Sequence, residues 1–259
     1  MACKGRHTPL GFKIQKEEIQ MRNLKRALSL ALAAIMLIGM MVVSASAASY
    51  NDLTDKDQIV NKDAVSMLVT LGVIEGKPDG SYAPTEGVDR AQMAKMISVI
   101  MNQGVDNGAL YENSPSGLTD ISSHWAKGHI NYCYTTGIIA GRGNGKFDPD
   151  AGVTGSEAAK MLLGVLGYNA EKSGLVGNDW AINVAADAVN AGIAPKGIVL
   201  ADAMTREQAA QMAFQTLTAD MVYYTNKGTT VNTPDGTQVV VGASAPVKVA
   251  NSNTDDYRT

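Results

Sequence analysis

Apolar and polar residues alternate along this chain in two regimes. Residues 27–43 form an apolar run broken only by Ser29 and Gly39. Further along, apolar positions recur at three- and four-residue spacing, as in helices that bury one face. The clearest stripes are Met93, Met96, Ile97, Ile100 and Met101, then Ala158, Met161, Leu162, Val165 and Leu166. A weaker one is Ala209, Met212, Ala213, Thr216 and Leu217. The same start signal precedes each: Asp89 with Gln92, Thr154 with Glu157, and Thr205 with Gln208. This is a capping box, in which the cap oxygen accepts from an early backbone N–H and the Glu or Gln reaches back to the cap. A further stripe, Ala126, Ile130, Cys133 and Tyr134, predicts a helix over about 125–136. Gly137 then stands just past the helix end, where φ is often positive.

These elements repeat. Leu53-Thr54-Asp55 recurs as Leu118-Thr119-Asp120, and Gly72-Val73-Ile74-Glu75-Gly76 as Gly137-Ile138-Ile139-Ala140-Gly141, both at an offset of 65. Tyr82 matches Phe147 at the same offset, in a turn-rich loop. A third, shorter copy follows. Trp125 matches Trp180 and Gly137 matches Gly192 at an offset of 55, and Thr154 matches Thr205 at 51, which places a four-residue deletion in the loop. Each copy reads as helix, loop, helix. Such a unit cannot bury its own stripe, but three can bury one another's. The fold class expected is mainly α: three helix-loop-helix repeats in a pseudo-threefold bundle with three prongs. The repeats are expected at 48–103, 118–168 and 174–219. The stretches 102–117 and 167–177, rich in Gly, Asn and Ser, read as surface connections.

The apolar run has a second context. Arg22, Lys25 and Arg26 precede it and Ala45-Ser46-Ala47 follow, so residues 21–47 read as a secretory signal peptide rather than a membrane anchor. Met21 then reads as the initiator and residues 1–20 as a mis-called upstream extension. Cys133 is the only cysteine after that point, so no internal disulfide framework is expected. A net charge of -3 gives no footprint for nucleic acid. Residues 220–259 change character: Met221-Val222-Tyr223-Tyr224 and Val239-Val240-Val241 have strand composition around a Pro234-Asp235-Gly236 turn signal. They read as a short β-rich or disordered tail, or the start of a truncated domain.

Taken together, the motifs resemble the S-layer homology family. Its repeat runs aromatic-x-Asp, His-Trp-Ala, Gly-Ile-x-x-Gly, an Asp-Gly-x-Phe-x-Pro loop and Thr-Arg-Ala-Glu. Copy two carries His124-Trp125-Ala126, Gly137 to Gly141, and Phe147-Asp148-Pro149; copy three carries Asp179-Trp180-Ala181 and Thr205-Arg206-Glu207-Gln208. Copy one has Asp89-Arg90-Ala91-Gln92 but Val60 in the tryptophan's place, and copy two has Gly155 where arginine belongs. The resemblance implies a secreted protein on the cell wall or S-layer of a Gram-positive-type bacterium. It implies non-covalent binding of secondary cell-wall polysaccharide bearing pyruvyl ketals, and S-layer self-association is a further partner to consider. No nucleic acid, no membrane after signal cleavage, no cofactor and no metal is expected. Alternatives are the anchoring portion of a polysaccharide-degrading enzyme, or a structural S-layer subunit.

The candidate binding residues are Arg90, Arg206, Trp125, Trp180, Asp55, Asp120, Gly76 and Gly141. A pyruvyl ketal keeps a carboxylate, which suits free N–H groups at a helix start and an arginine just after the cap. Tryptophan faces suit the apolar side of sugar rings. Other roles stay open: Trp125 and Trp180 as core plugs, Arg90 and Arg206 as exposed helix-start residues, Asp55 and Asp120 as caps of the first helix. Because copy two lacks its arginine and copy three most of its loop, one good site is expected, near Arg90 or Arg206. His124, His129 and Cys133 share no helical face suited to a metal, and no catalytic triad or carboxylate pair stands out, so the chain reads as non-enzymatic.

Overall fold

The structure is a computed structural model, and it describes residues 49–226, 228–232 and 238–249. The upstream extension, Met21, the signal peptide, the Pro234-Asp235-Gly236 turn and the polar run at 251–258 lie outside the described residues. Among the described residues, six α-helices form three pairs. They are α1 (Lys62–Thr70) with α2 (Arg90–Met101), α3 (Lys127–Thr135) with α4 (Gly155–Val165), and α5 (Trp180–Asn190) with α6 (Arg206–Thr218). The mainly α class therefore holds. None of the described helices is long and apolar enough to cross a membrane.

The second helix of each pair starts where the capping boxes predict. Asp89, Thr154 and Thr205 accept from the N–H of Gln92, Glu157 and Gln208, whose side chains accept from the cap N–H in return. Each box contributes about 1 kcal/mol to its helix start. The first helices end at Gly72, Gly137 and Gly192, with φ of 69°, 75° and 76°. There a glycine turns the chain without the steric penalty of a Cβ. The predicted helix at 125–136 begins two residues late. His124 Nδ1 accepts from the Ala126 N–H in the turn before it, which leaves Trp125 outside the helix.

The pairs close on one another. Helix α2 packs on α3, α4 on α5, and α6 on α1. The segments leading into the three capped helices join by backbone hydrogen bonds: Val88 N–H donates to Met204, Met204 to Val153, and Val153 to Val88. The core that results is continuous, with Met93, Ile97, Ala158, Leu162, Ala209 and Ala213 all fully buried. The predicted stripes thus face one shared interior, where alanine and methionine fit closely approaching helices, except at Met101, which ends its helix exposed.

Two expectations need correction. The stretch 102–117 is not a simple surface connection. It contains a 3-10 turn, Gly108–Tyr111, that packs on α3. A Cβ on Gly128 would lie 1.8 Å from the Gly108 carbonyl oxygen, so only glycine at 128 permits this contact. Asn131 seals it with a hydrogen bond to the Tyr111 carbonyl. In 167–177, Leu175 is likewise buried. The tail is strand-rich as expected, but Val222–Tyr223 (β1) pairs with Val247–Lys248 (β4), and Thr229–Asn232 (β2) with Gln238–Val241 (β3). Its first strand is tied to the helices through Val222 N–H, which donates to the Leu166 carbonyl.

Candidate functional site

Both arginines sit across a boundary between pairs. Arg90, on α2, stacks 4.5 Å from the centre of the Phe147 ring in the loop of the second pair. Its Nε donates to the Phe147 carbonyl at 2.8 Å and its Nη2 to the Ala140 carbonyl at 2.9 Å. Arg206, on α6, repeats this in the loop of the first pair. It lies 5.0 Å from the Tyr82 ring and donates to the carbonyls of Tyr82 and Glu75. Neither is an ordinary exposed helix-start residue: Arg90 is only 4% exposed. Burial, then the neighbouring Arg142 cation, lower its guanidinium to about 10, so it stays charged at neutral pH.

The helix starts are not free anion sites. Arg90 and Ala91 N–H donate to the Ala151 and Pro149 carbonyls, Gly155 and Ser156 to Asp202 and Leu200, and Arg206 and Glu207 to Glu86 and Pro84. The next donor is taken by the capping box. The N–H groups expected to face a ligand carboxylate therefore hold the loop of another pair instead.

Asp55 and Asp120 do not cap the first helices. Asp55 accepts from the N–H of Tyr82 and Ala83, and Asp120 from those of Phe147 and Asp148. Ala83 and Asp148 have φ of 56° and 55°, a conformation that costs a side-chain-bearing residue energy. The two carboxylates hold the loops in that shape. Burial raises the Asp120 carboxyl, but the Asp148 and Phe147 N–H groups outweigh it and hold it below the ordinary carboxylate value. Gly141 serves the same loop: a Cβ there would lie 2.7 Å from the Lys146 carbonyl oxygen. At Gly76 the nearest atoms would be Leu53 Cδ2 and the Ser81 carbonyl oxygen.

Two cavities follow from this build. Groove one, about 590 Å³, is lined by Gly76 and Tyr82 of the first pair, Lys95 on α2, Trp125 before α3, and Arg206. Groove two, about 340 Å³, is lined by Gly141, Arg142, Lys160 on α4, Trp180 and Arg90. Each draws its loop and floor from one pair, its tryptophan from the next, and its arginine from the previous one. Trp125 is 58% exposed and so is no core plug, whereas Trp180 is half-buried. The two grooves share one plan.

Arg142 and Lys160, cations near the position where copy two lacks its arginine, line groove two, and Lys95, which the repeat motifs did not single out, lines groove one. The signal for Lys95 was its matching position, 65 residues before Lys160. Arg142 pairs with Glu157 at 2.7 Å. Lys160 lies over the Trp180 ring at 5.4 Å, and burial lowers its ammonium from the usual value. The residues weighed for metal go separate ways. Cys133 is buried against the Ala94 carbonyl, with its thiol pushed up by burial, His124 meets Asp150, and His129 meets Ser98.

The family model for the S-layer homology domain matches residues 49–94 and 117–159. Residues 174–219 lie outside both stretches. An S-layer protein of Bacillus licheniformis is 32% identical over 146 residues, which is 56% of this chain and 16% of that protein. A cell surface protein of Thermoanaerobacter kivui is 29% identical over 150 residues, 57% of this chain and 19% of its own length. An uncharacterized cell wall amidase of Bacillus anthracis is 30% identical over 159 residues, 55% of this chain and 28% of its own. The chain therefore spans less than a third of each of these curated relatives. The matched stretches hold the first two capping boxes, Trp125 and both long loops, and over them the chain is similar to the S-layer homology domain.

Proposed function

We propose that this chain anchors a surface protein non-covalently to the bacterial cell wall by holding pyruvyl-bearing wall polysaccharide in grooves one and two. The single observation that carries the reading is the pair of like-built cavities, each flanked by a tryptophan and floored by an arginine clamp. The exposed face of Trp125 suits the apolar side of a sugar ring, and the remaining arginine N–H groups suit its oxygens. We read the closed helix packing as a pseudo-threefold axis through three repeats, 48–103, 118–168 and 174–219, with the loops as prongs. The relatives include an S-layer protein and a cell wall amidase. Both fit a module that places its host on the wall and performs no chemistry itself. S-layer self-association would then belong to other parts of the host.

Sedimentation with purified walls tests this. The full chain is expected to pellet with intact walls and to stay in solution with walls stripped of polysaccharide or of its pyruvyl groups. Equal pelleting with stripped walls overturns the reading.

A further inference from the structure

A buried polar pair sits where α2 meets α3. Ser98 is fully buried there and His129 nearly so. At the matching places, where α4 meets α5, stand Leu163 and Val184, both fully buried. An apolar pair is enough to fill that space, so the imidazole is not there for packing alone.

The hydrogen bonds fix which nitrogen is free. Ser98 Oγ lies 3.0 Å from the Lys95 carbonyl, which accepts its single hydrogen. The hydroxyl therefore accepts from His129 Nδ1–H, at 2.6 Å. His129 Nε2 is then the bare nitrogen, and it faces Asp106 Oδ1 at 3.5 Å. The other Asp106 oxygen lies 3.6 Å from the Lys95 ammonium, which also meets Glu75 at 3.3 Å. Lys95 and Glu75 line groove one. Contacts thus run from the buried imidazole through Asp106 to a cation in the groove wall. The 3-10 turn holds the ring in place, since a Cβ on Gly108 would lie 2.6 Å from it.

A bare Nε2 and a carboxylate oxygen offer each other only lone pairs. A proton on Nε2 turns their contact into a charge-assisted hydrogen bond. The imidazole faces Lys95 on α2, Asp106 on the 102–117 connection and Glu75 in the turn after α1. Burial lowers its proton affinity below the usual value, with Asp106 opposing, Lys95 adding to the effect and Glu75 opposing. The ring is therefore neutral at neutral pH and takes up its proton in mild acid. A sugar carboxylate keeps its charge there, because such groups titrate near about 3.5.

We propose that His129 is a positioning residue for groove one: its protonation draws Asp106 off Lys95 and tightens the groove's hold on an anionic sugar. The inference rests on the wall-polysaccharide reading above and adds to it a dependence on acidity. The proton acts twice with one sign. Lys95 loses one of its two carboxylates, and the groove wall gains a positive charge. By linkage, an anion in the groove favours the protonated ring in return.

Titration calorimetry on the full chain tests this, with a pyruvyl-ketal hexosamine glycoside and its neutral methyl ester as probes. The acid is expected to bind about threefold tighter at about pH 5 than at about pH 7.5, the scale of one added charge near the ligand. The ester is expected to show no such step. His129→Val, which copies the α4–α5 boundary, and His129→Gln are each expected to abolish the step, as is Lys95→Gln. His124→Gln is expected to keep it. By NMR, the His129 imidazole is expected to titrate at higher pH with the acid bound than without, which a merely structural ring would not do. No step in the unaltered chain, a step that survives both His129 variants, or an equal step with the ester overturns the assignment while the anchoring reading stands. A glycoside that binds at neither pH overturns it as well; the anchoring reading falls with it only if the chain also ignores intact walls.

Discussion

Grooves one and two have a counterpart in the third boundary, where α6 meets α1, and the contrast is instructive. By the repeat offsets, that boundary should combine a loop at 193–204, a tryptophan at 60 and an arginine at 155. It has a loop shortened by four residues, Val60 and Gly155. The aromatic that stacks on the arginine is replaced as well: Ile198 stands where Tyr82 and Phe147 stand. Gln211 replaces Lys95 and Lys160, and Lys196 replaces Gly76 and Gly141. The losses form one coherent set. A guanidinium buried without its ring and carbonyls would be costly, and a long loop without an arginine would have nothing to clamp it.

What fills the third boundary is backbone. Gly155 and Ser156 N–H donate to the shortened loop, and a Cβ on Gly155 would lie 2.7 Å from Leu200 Cα. Val60 is 82% exposed, and the buried Glu207 instead accepts from the Asn61 N–H. The chain closes there by direct packing, whereas the other two boundaries close around an arginine.

The largest effect that could break this comparison is loss of a clamp. Arg90→Ala removes two charge-assisted hydrogen bonds and a ring contact, and takes from the buried Phe147 its carbonyl's arginine donor. The expected cost is about 3 kcal/mol of folding stability, read by urea denaturation. Arg206→Ala, at a more open position, is expected to cost less. Equal and negligible costs would mean that the arginines are not what holds these boundaries together.

A smaller effect comes from rebuilding the missing part. Gly155→Arg restores the residue the repeat calls for, but its Cβ meets backbone that cannot swing aside. Overpacking of this kind costs about 2 kcal/mol. The variant is expected to unfold at lower urea and to gain no wall binding. A variant that is stable and binds more polysaccharide would show that the third boundary is a dormant groove rather than a closed one.

Much of this was legible in the residues. Capping boxes at Asp89, Thr154 and Thr205 act within four residues, so local pattern suffices to place those helix starts. The glycines past the first helices are equally local. The partnerships of the site are not. Arg90 meets a loop 50 to 57 residues away, and Arg206 one 124 to 131 away. Counting copy by copy gives each repeat one defect: Val60 in the first, Gly155 in the second and a short loop in the third. The packing of α6 on α1 and the hydrogen bonds of Gly155 and Ser156 to the 193–204 loop are long-range and invisible to such counting. The role of Asp55 and Asp120 was hidden for a similar reason. An aspartate before a helix suggests a cap, and the strained Ala83 and Asp148 it serves are nearly 30 residues further on.

The smallest stability effect is also the most discriminating. Trp125 is 58% exposed and precedes its helix, so Trp125→Ala removes little buried area. The expected change is about 0.5 kcal/mol or less, while wall sedimentation through groove one is expected to weaken. Trp180→Ala is expected to cost more, since Trp180 packs on the core and lies beneath the Lys160 ammonium. That difference separates two reasons for keeping a tryptophan at matching positions. A side chain that contributes almost nothing to stability and much to wall binding is there for its ligand. If Trp125→Ala instead destabilises the fold as much as Trp180→Ala and leaves wall binding intact, the first groove is only a gap between helix pairs.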